Sequence, residues 1–300
     1  MKVLVCDKTE KECIEQMRAA GLNVDVRDDI TPEELPNVLP AYDGMVVRSR
    51  TKVRQPLIDV CPDLKVIVRG GVGLDTIDHE YAKSRGITVM NTPMASSASV
   101  AELTIGYMFA LARSLYKATS SMKTEKWDKK SFEGDEIGGK TLGLIGVGNI
   151  GKEVAKRANA LGMTVLAYDP YVKEVAGIKM VTLDEILTQS DYISLHLPKT
   201  KESANMIGVD QFAKMKNGVR IVNCARGGII DEAALYEALT SGKVASAALD
   251  VFAEEPPTDW KLFKLDNVIG SPHIGAATKE AQGRVGAEVA EKLIEFAKKK

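Results

Sequence analysis

Residues 142–162 read LGLIGVGNIGKEVAKRANALG, and the fold turns on what the glycines at 146, 148 and 151 are for. A GxGxxG spacing alone is weak, because any glycine-rich turn can produce it. Its surroundings make it specific. A buried-type apolar run leads into Gly146, a helical pattern begins at about Asn149, and the strand-like TVLAYD closes on Asp169. In that setting Gly146 makes the turn, Gly148 lets a pyrophosphate approach the backbone, and Gly151 packs helix on strand. Asn149 and Ile150 open a helix whose free amides and dipole favour a diphosphate. Asp169 is placed to accept hydrogen bonds from the adenosine ribose, and its charge repels the extra phosphate of NADP. A dinucleotide cofactor, NAD in preference to NADP, is the expectation.

Working outward, β-branched runs alternate with helical stretches along the chain. KVLVC leads into the helical KTEKECIEQMRAAG, closed by Gly21, and MVVRS, LKVIVRG and ITVMN follow. After residue 140 come KTLGLIGVG, MTVLAYD, DYISLHLP, GVRIVNCA, ASAALD and NVIGSP. Runs rich in Val and Ile without polar alternation predict parallel sheets covered on both faces. The fold class is therefore α/β, with two doubly wound parallel-sheet domains, the second from about 95 to 273. Ser96 to Lys117 reads as one long helix of mostly apolar surface. The polar stretch after it, through Trp127 to residue 140, reads as a linker or arm.

Composition narrows the class of partner. With 40 Lys and Arg against 41 Asp and Glu, no overall field favours nucleic acid or an anionic membrane. A small molecule is expected instead. Cys6, Cys13, Cys61 and Cys224 show no CxxC spacing, so no metal site is expected and the thiols read as reduced. The opening MKVLVCDKTE is too short an apolar run for a signal peptide, and no run approaches a membrane span; the expected location is cytoplasmic.

Three further segments end strands of the second series. NCARGGIID carries Arg226, ALDVFAEEPP carries Glu254 and Glu255, and SPHIGAA carries His273, one of only three histidines. Open parallel sheets bind ligands beyond the carboxyl ends of their strands, so all three can serve one cleft. An arginine grips a carboxylate in bidentate fashion, a histidine exchanges a proton near neutrality, and a carboxylate on its second nitrogen holds the tautomer. That trio suits hydride transfer at a carbinol carbon. Taken singly, each has an ordinary explanation: a surface ion pair, a turn residue before Pro-Pro, a packed core imidazole.

GKTLGLIGVGNIG, VNCARGGIIDEAAL, AALDVFAEEPP and SPHIGAATKEAQ resemble the D-isomer-specific 2-hydroxyacid dehydrogenase family, and the resemblance covers nearly all 300 residues. It implies His273 as acid/base, Arg226 as substrate clamp, and Glu255, in preference to Glu254 one position early, as the partner of His273. It implies cofactor contacts from Pro198, Cys224, Ala225, Asp250, Gly275 and Ala276. It implies a Rossmann-type NAD domain (95–273) inserted into a flavodoxin-like substrate domain (1–94 plus 274–300) that closes over the cleft, and a homodimer formed through region 95–140. VVRSRTKV, residues 46–53, is similar to the phosphoglycerate branch, implying that Arg48, Ser49 and Lys52 hold a phosphorylated 2-hydroxy acid; composition alone would make this a solvated basic loop. RGGVGLDTID resembles the family's nearby glycine loop, which implies that backbone amides from Gly70 to Gly73, with Gly71, Val72 and Gly73 as substrate contacts, bind a carboxylate as an anion nest; Gly71 stands where that family usually has Ala and Thr76 where it usually has Asn.

His196 reads as structural or as lining the cofactor pocket, His79 as exposed at a helix start, and Cys224 as a backbone contact, not a reactive thiolate. The short course of the chain past its last helix implies no regulatory domain of the kind longer relatives carry. Two rival readings stand beside the main one: a reductase of glyoxylate, hydroxypyruvate or another plain keto acid, and an NAD-sensing interaction protein like the corepressors that share this fold.

Overall fold

A computed structural model describes residues 1–299. The described chain divides into two compact units, Met1–Ser96 with Ala276 onward, and Ser97–Gly275. Each is built on one wholly parallel sheet.

In the first unit, β1 (Lys2–Val5), β2 (Asn23–Val26), β3 (Gly44–Val47), β4 (Val66–Arg69) and β5 (Thr88–Asn91) lie in the order β2-β1-β3-β4-β5. This is the flavodoxin-like doubly wound order. β3 is buried at all four positions, as a central strand covered on both faces must be. One face packs Leu4, Met45 and Ile67 with Leu39, Ile58 and Ala82. The other packs Val3, Val46 and Val68 with Met17, Val289 and Leu293. The helix Lys279–Lys298 belongs here: its Gly286 lies against Cys13 of the helix Lys11–Ala19.

The second unit holds β6 (Thr141–Ile145), β7 (Thr164–Tyr168), β8 (Lys179–Met180), β9 (Tyr192–Leu195), β10 (Val219–Asn223), β11 (Val244–Leu249) and β12 (Val268–Gly270). Their order is β12-β11-β10-β9-β6-β7-β8, the Rossmann arrangement with one further strand beyond β11. Sequence reading missed β2 and β8. Both are edge strands, only partly buried, so they lack the continuous apolar signature of their neighbours.

One helix differs from expectation. The stretch expected to run unbroken from Ser96 to Lys117 is two helices, Ser97–Ala112 and Leu115–Lys123, with Ser114 left-handed (φ 46°) between them. The cause is a distant segment. The Ala112 carbonyl accepts the Asp135 amide at 3.0 Å, and the backbone at Gly134 lies so close to Ala112 that a Cβ would come within 2.5 Å of its oxygen. The arm is also less irregular than its composition implied, since it includes most of the second helix and a 3-10 turn at Lys129–Phe132. Among the described residues no helix is long and apolar enough to cross a membrane.

Candidate active site

The residues singled out in the second unit all follow strand ends. Gly146 and Gly148 follow β6, Asp169 β7, His196 and Pro198 β9, Cys224 to Arg226 β10, Asp250 to Glu255 β11, and His273 β12. Because the sheet is parallel, these ends share one edge, and the strand order reverses between β6 and β9. Such a reversal leaves a crevice between the diverging connections.

The glycines of the first loop are required for different reasons. Gly146 sits at φ 101°, and a Cβ there would come 2.5 Å from the His196 carbonyl oxygen. A Cβ on Gly151 would come 2.3 Å from the Gly146 carbonyl oxygen, so both are demanded by the fold itself. Gly148 has an ordinary φ of −65° and open space within 4 Å of a Cβ position. Folding does not require glycine there; a ligand pressed against the backbone would. The helix Asn149–Ala160 begins immediately behind it, with Ile150 and Gly151 in its first turn.

Asp169 also shapes this loop. One carboxylate oxygen accepts the Val147 amide at 3.0 Å, and the other accepts the amides of Tyr171 (2.9 Å) and Val172 (3.2 Å). A carboxylate has about four acceptor positions, so one remains for a ribose hydroxyl. His196 accompanies the loop from the side of β9. Its Nε2 meets Ser194 Oγ at 2.9 Å, while Nδ1 is buried with no hydrogen-bond partner among the described residues. Burial pushes this imidazole down to about 4, so it stays neutral.

Arg226, Glu255 and His273 come together. Glu255 Oε2 lies 2.7 Å from His273 Nδ1, and Oε1 accepts the Phe252 amide at 3.1 Å. Glu254 turns elsewhere, accepting the Thr258 hydroxyl at 2.7 Å. Burial alone would raise the pKa of Glu255. The hydrogen bond and charge of His273, the Phe252 amide and the charge of Arg226 outweigh it and hold the carboxyl below its usual range. The Arg226 turn is bracketed by Asn223, whose side chain donates to the Arg226 carbonyl and accepts the Ala225 amide, each at 3.0 Å. A Cβ on Gly227 would come within 1.6 Å of the Phe252 carbonyl oxygen, so glycine alone lets this loop touch the one carrying Glu255.

His273 is itself left-handed, at φ 53°. For a non-glycine residue this costs on the order of 1–3 kcal/mol and persists only where surroundings enforce it. Asp250, 1% exposed, does the enforcing. One oxygen accepts Ser271 Oγ and the Ile274 amide (2.8 Å), the other the Gly275 amide (2.7 Å), and Tyr107 hydrogen-bonds Ser271 in turn. Sequence reasoning gave Asp250 only a cofactor contact and missed this role, since nothing local links it to a turn 24 residues on. Beside the dyad lies an apolar cleft of about 630 Å³ lined by Phe252, Pro256, Trp260, Phe263 and Pro272. Cys224 is buried, its thiol pushed up to about 12 by burial, which makes it inert. Ala225 is buried beside it and Pro198 is exposed; Ala276 opens the return to the first unit.

In the first unit, Arg48, Ser49 and Lys52 follow β3, and Gly71 to Gly73 follow the adjacent β4. The Gly71 and Val72 carbonyls accept from the Thr92 amide (3.0 Å) and Asn91 Nδ2 (2.5 Å) at the end of β5. In planar trans peptides this turns the Val72 and Gly73 amides the opposite way, as an anion nest needs. The four alternating cations of the loop divide cleanly. Arg50 pairs with Asp7 (3.1 Å) and Arg54 with Asp78 (2.8 Å), whereas Arg48 and Lys52 have no ion-pair partner among the described residues. Burial presses the Arg48 guanidinium below its usual pKa, against the opposing charges of Asp7 and Glu10. His79 is exposed at the start of a short helix.

Residues 105–275 match the family description "D-isomer specific 2-hydroxyacid dehydrogenase, NAD binding domain". The chain belongs to this family. A D-3-phosphoglycerate dehydrogenase of Archaeoglobus fulgidus is 51% identical, the match covering 99% of this chain and 58% of that protein. The chain thus spans little more than half the length of that relative. A hydroxypyruvate reductase of Thermotoga maritima is also 51% identical, with 98% of this chain and 97% of that protein covered. Among solved structures, a D-lactate dehydrogenase from Aquifex aeolicus complexed with NAD and lactic acid superposes with a TM-score of 0.87 at 32% identity, covering 99% and 96% of the two chains. The parallel sheets described above are those of this family, the second unit being its Rossmann-type NAD-binding domain.

Gly148→Val should leave the melting temperature within a degree or two while raising the Kd for NAD at least tenfold by fluorescence titration. Gly146→Ala should instead destabilise the fold by ~2 kcal/mol or more, as overpacking against backbone does. His196, with a folded pKa near 4 against 6.5 unfolded, favours the native state fully above pH 6.5 and progressively less down to pH 4. Denaturant titrations should show His196→Asn losing up to about 3 kcal/mol less stability than the parent across that window.

Proposed function

We propose that the chain oxidises 3-phosphoglycerate at its 2-hydroxyl, giving 3-phosphohydroxypyruvate in a step that feeds serine synthesis. The observation that carries the chemistry is the 2.7 Å contact between His273 Nδ1 and Glu255 Oε2. With Nδ1–H donating a hydrogen bond to the carboxylate, Nε2 is left as the base. It takes the hydroxyl proton as the C2–H electron pair departs and the C2=O bond forms. Glu255, kept ionised by its surroundings, stabilises the imidazolium that results. Arg226 grips the substrate carboxylate and polarises the neighbouring oxygen. Bound NAD, held by the Gly146–Gly151 loop and Asp169, supplies the acceptor for the hydride; the Asp169 charge favours it over NADP. Cys224, Ala225, Asp250, Gly275, Ala276 and Pro198 complete its surroundings.

The phosphorylated substrate is supported by the charge pattern of the first unit. Among the described residues Arg48 and Lys52 are the two cations of the loop without ion-pair partners, and Ser49 and the Gly71–Gly73 backbone add donors beside them. A second reading has one specific observation in its favour: the hydroxypyruvate reductase relative matches over 97% of its own length. That reading needs no phosphate site. We also place self-association in region 95–140, where Trp127 is 82% exposed and Leu115 and Met122 are exposed with it. The expected location remains the cytoplasm.

Initial rates followed by NADH absorbance, with phosphorylated and plain 2-hydroxy or 2-oxo acids, test the proposal. The phosphorylated acid should be preferred, and Arg48→Ala with Lys52→Ala should raise its KM at least tenfold. His273→Ala should lower kcat by roughly 10²–10⁴ for every substrate. Turnover of hydroxypyruvate alone, indifferent to Arg48 and Lys52, would establish the second reading.

A further inference from the structure

Asp7 is 2% exposed, yet it takes no part in the proton or hydride transfer proposed above. It stands just past β1, the strand next to β3 in the first sheet. Among the described residues, the hydrogen bonds to its carboxylate all come from one loop. Oδ2 accepts the amides of Arg48 and Thr51 (3.3 Å for the latter), and Oδ1 accepts the Thr51 hydroxyl (2.7 Å) and Arg50 Nε (3.1 Å). Arg50 extends the connection. Its Nη1 donates to the Ile30 carbonyl at 2.8 Å, and its Nη2 to the carbonyls of Asp28 (2.9 Å) and Cys6. One buried anion and one forked cation therefore tie residues 48–51 to the ends of β1 and β2.

We propose that Asp7 and Arg50 are positioning residues for anion recognition, holding the 48–52 loop so that Arg48 and Lys52 stay available to the phosphate of the substrate. This rests on the phosphorylated-acid reading above. Two physical points carry it. A buried carboxylate beside Arg48 would otherwise compete for that guanidinium, and Arg50 neutralises it from within the same loop. Orientation matters too: both amides given to Asp7 flank Ser49, so the backbone carrying Arg48 and Ser49 is fixed before any ligand arrives, which lowers the ordering cost of binding. Neither residue reaches substrate in this account. Lysine can replace Arg50 only in part, because its point charge cannot serve a carboxylate and three carbonyls at once.

The test measures KM and kcat for 3-phosphohydroxypyruvate and for hydroxypyruvate with saturating NADH, in Arg50→Ala, Arg50→Lys, Asp7→Asn and, as reference, Arg48→Ala. The expected result is a KM for the phosphorylated acid raised at least fivefold in Arg50→Ala and Asp7→Asn. The kcat should fall less than twofold, and the KM values for hydroxypyruvate and NADH should stay unchanged. Arg50→Lys should fall between parent and Arg50→Ala, and it carries the comparison if Asp7→Asn or Arg50→Ala fails to fold. If Arg48→Ala loses selectivity for the phosphorylated acid while the Arg50 and Asp7 variants keep it, the positioning role is overturned and the substrate reading stands. If Arg48→Ala also keeps it, the substrate reading falls and this inference with it. Equal losses toward both substrates, tracking a lower melting temperature, would mark the pair as merely structural and overturn the proposal.

Discussion

The buried carboxylate of Asp250 holds a left-handed histidine in place, and much of the site depends on that restraint. A residue at φ 53° is uphill for any side chain but glycine, so the turn at His273 needs an external tie. Asp250 provides it through Ser271, Ile274 and Gly275, and Tyr107 anchors Ser271 in its turn. Only with the backbone so fixed does Nδ1 reach Glu255 and leave Nε2 for chemistry. The strained turn sets the direction of the ring: a relaxed one would aim it elsewhere.

The same logic recurs in the first unit, with a different purpose. There a buried acid, Asp7, collects the amides and hydroxyl of one loop, and an arginine in that loop balances its charge. In both units a carboxylate beyond a strand end converts a flexible connection into a defined surface. Parallel sheets make this arrangement available, because every strand delivers its loop to one edge and adjacent strands deliver loops side by side. Backbone contact completes it: Gly227 exists because the Arg226 loop touches the Phe252 carbonyl.

Both sheets could be read from the chain, since central strands buried on both faces leave uninterrupted apolar runs. The edge strands β2 and β8 could not, because partial exposure dilutes that pattern. The helix break at Ser114 was invisible for another reason. It is imposed by the Asp135 amide, a partner with no local trace in the helix sequence. The placement of Arg226 and His273 just past strand ends was legible, because each follows a short apolar run. Which of Glu254 and Glu255 meets the imidazole depended on resemblance until the geometry put Oε2 of Glu255 against Nδ1. Equally, Arg48, Arg50, Lys52 and Arg54 look alike in sequence. Only their partners Asp7 and Asp78, distant along the chain, separate paired from unpaired cations.

The central claim is that a carboxylate-held imidazole moves the proton while hydride leaves C2. It is tested most directly by single-turnover hydride transfer from a 2-hydroxy acid deuterated at C2, comparing the parent with Glu255→Gln. The transfer should slow by roughly ten- to a hundredfold in the variant, with the deuterium effect retained, because proton acceptance by His273 has lost its counter-charge. Transfer at the parental rate in Glu255→Gln would contradict it.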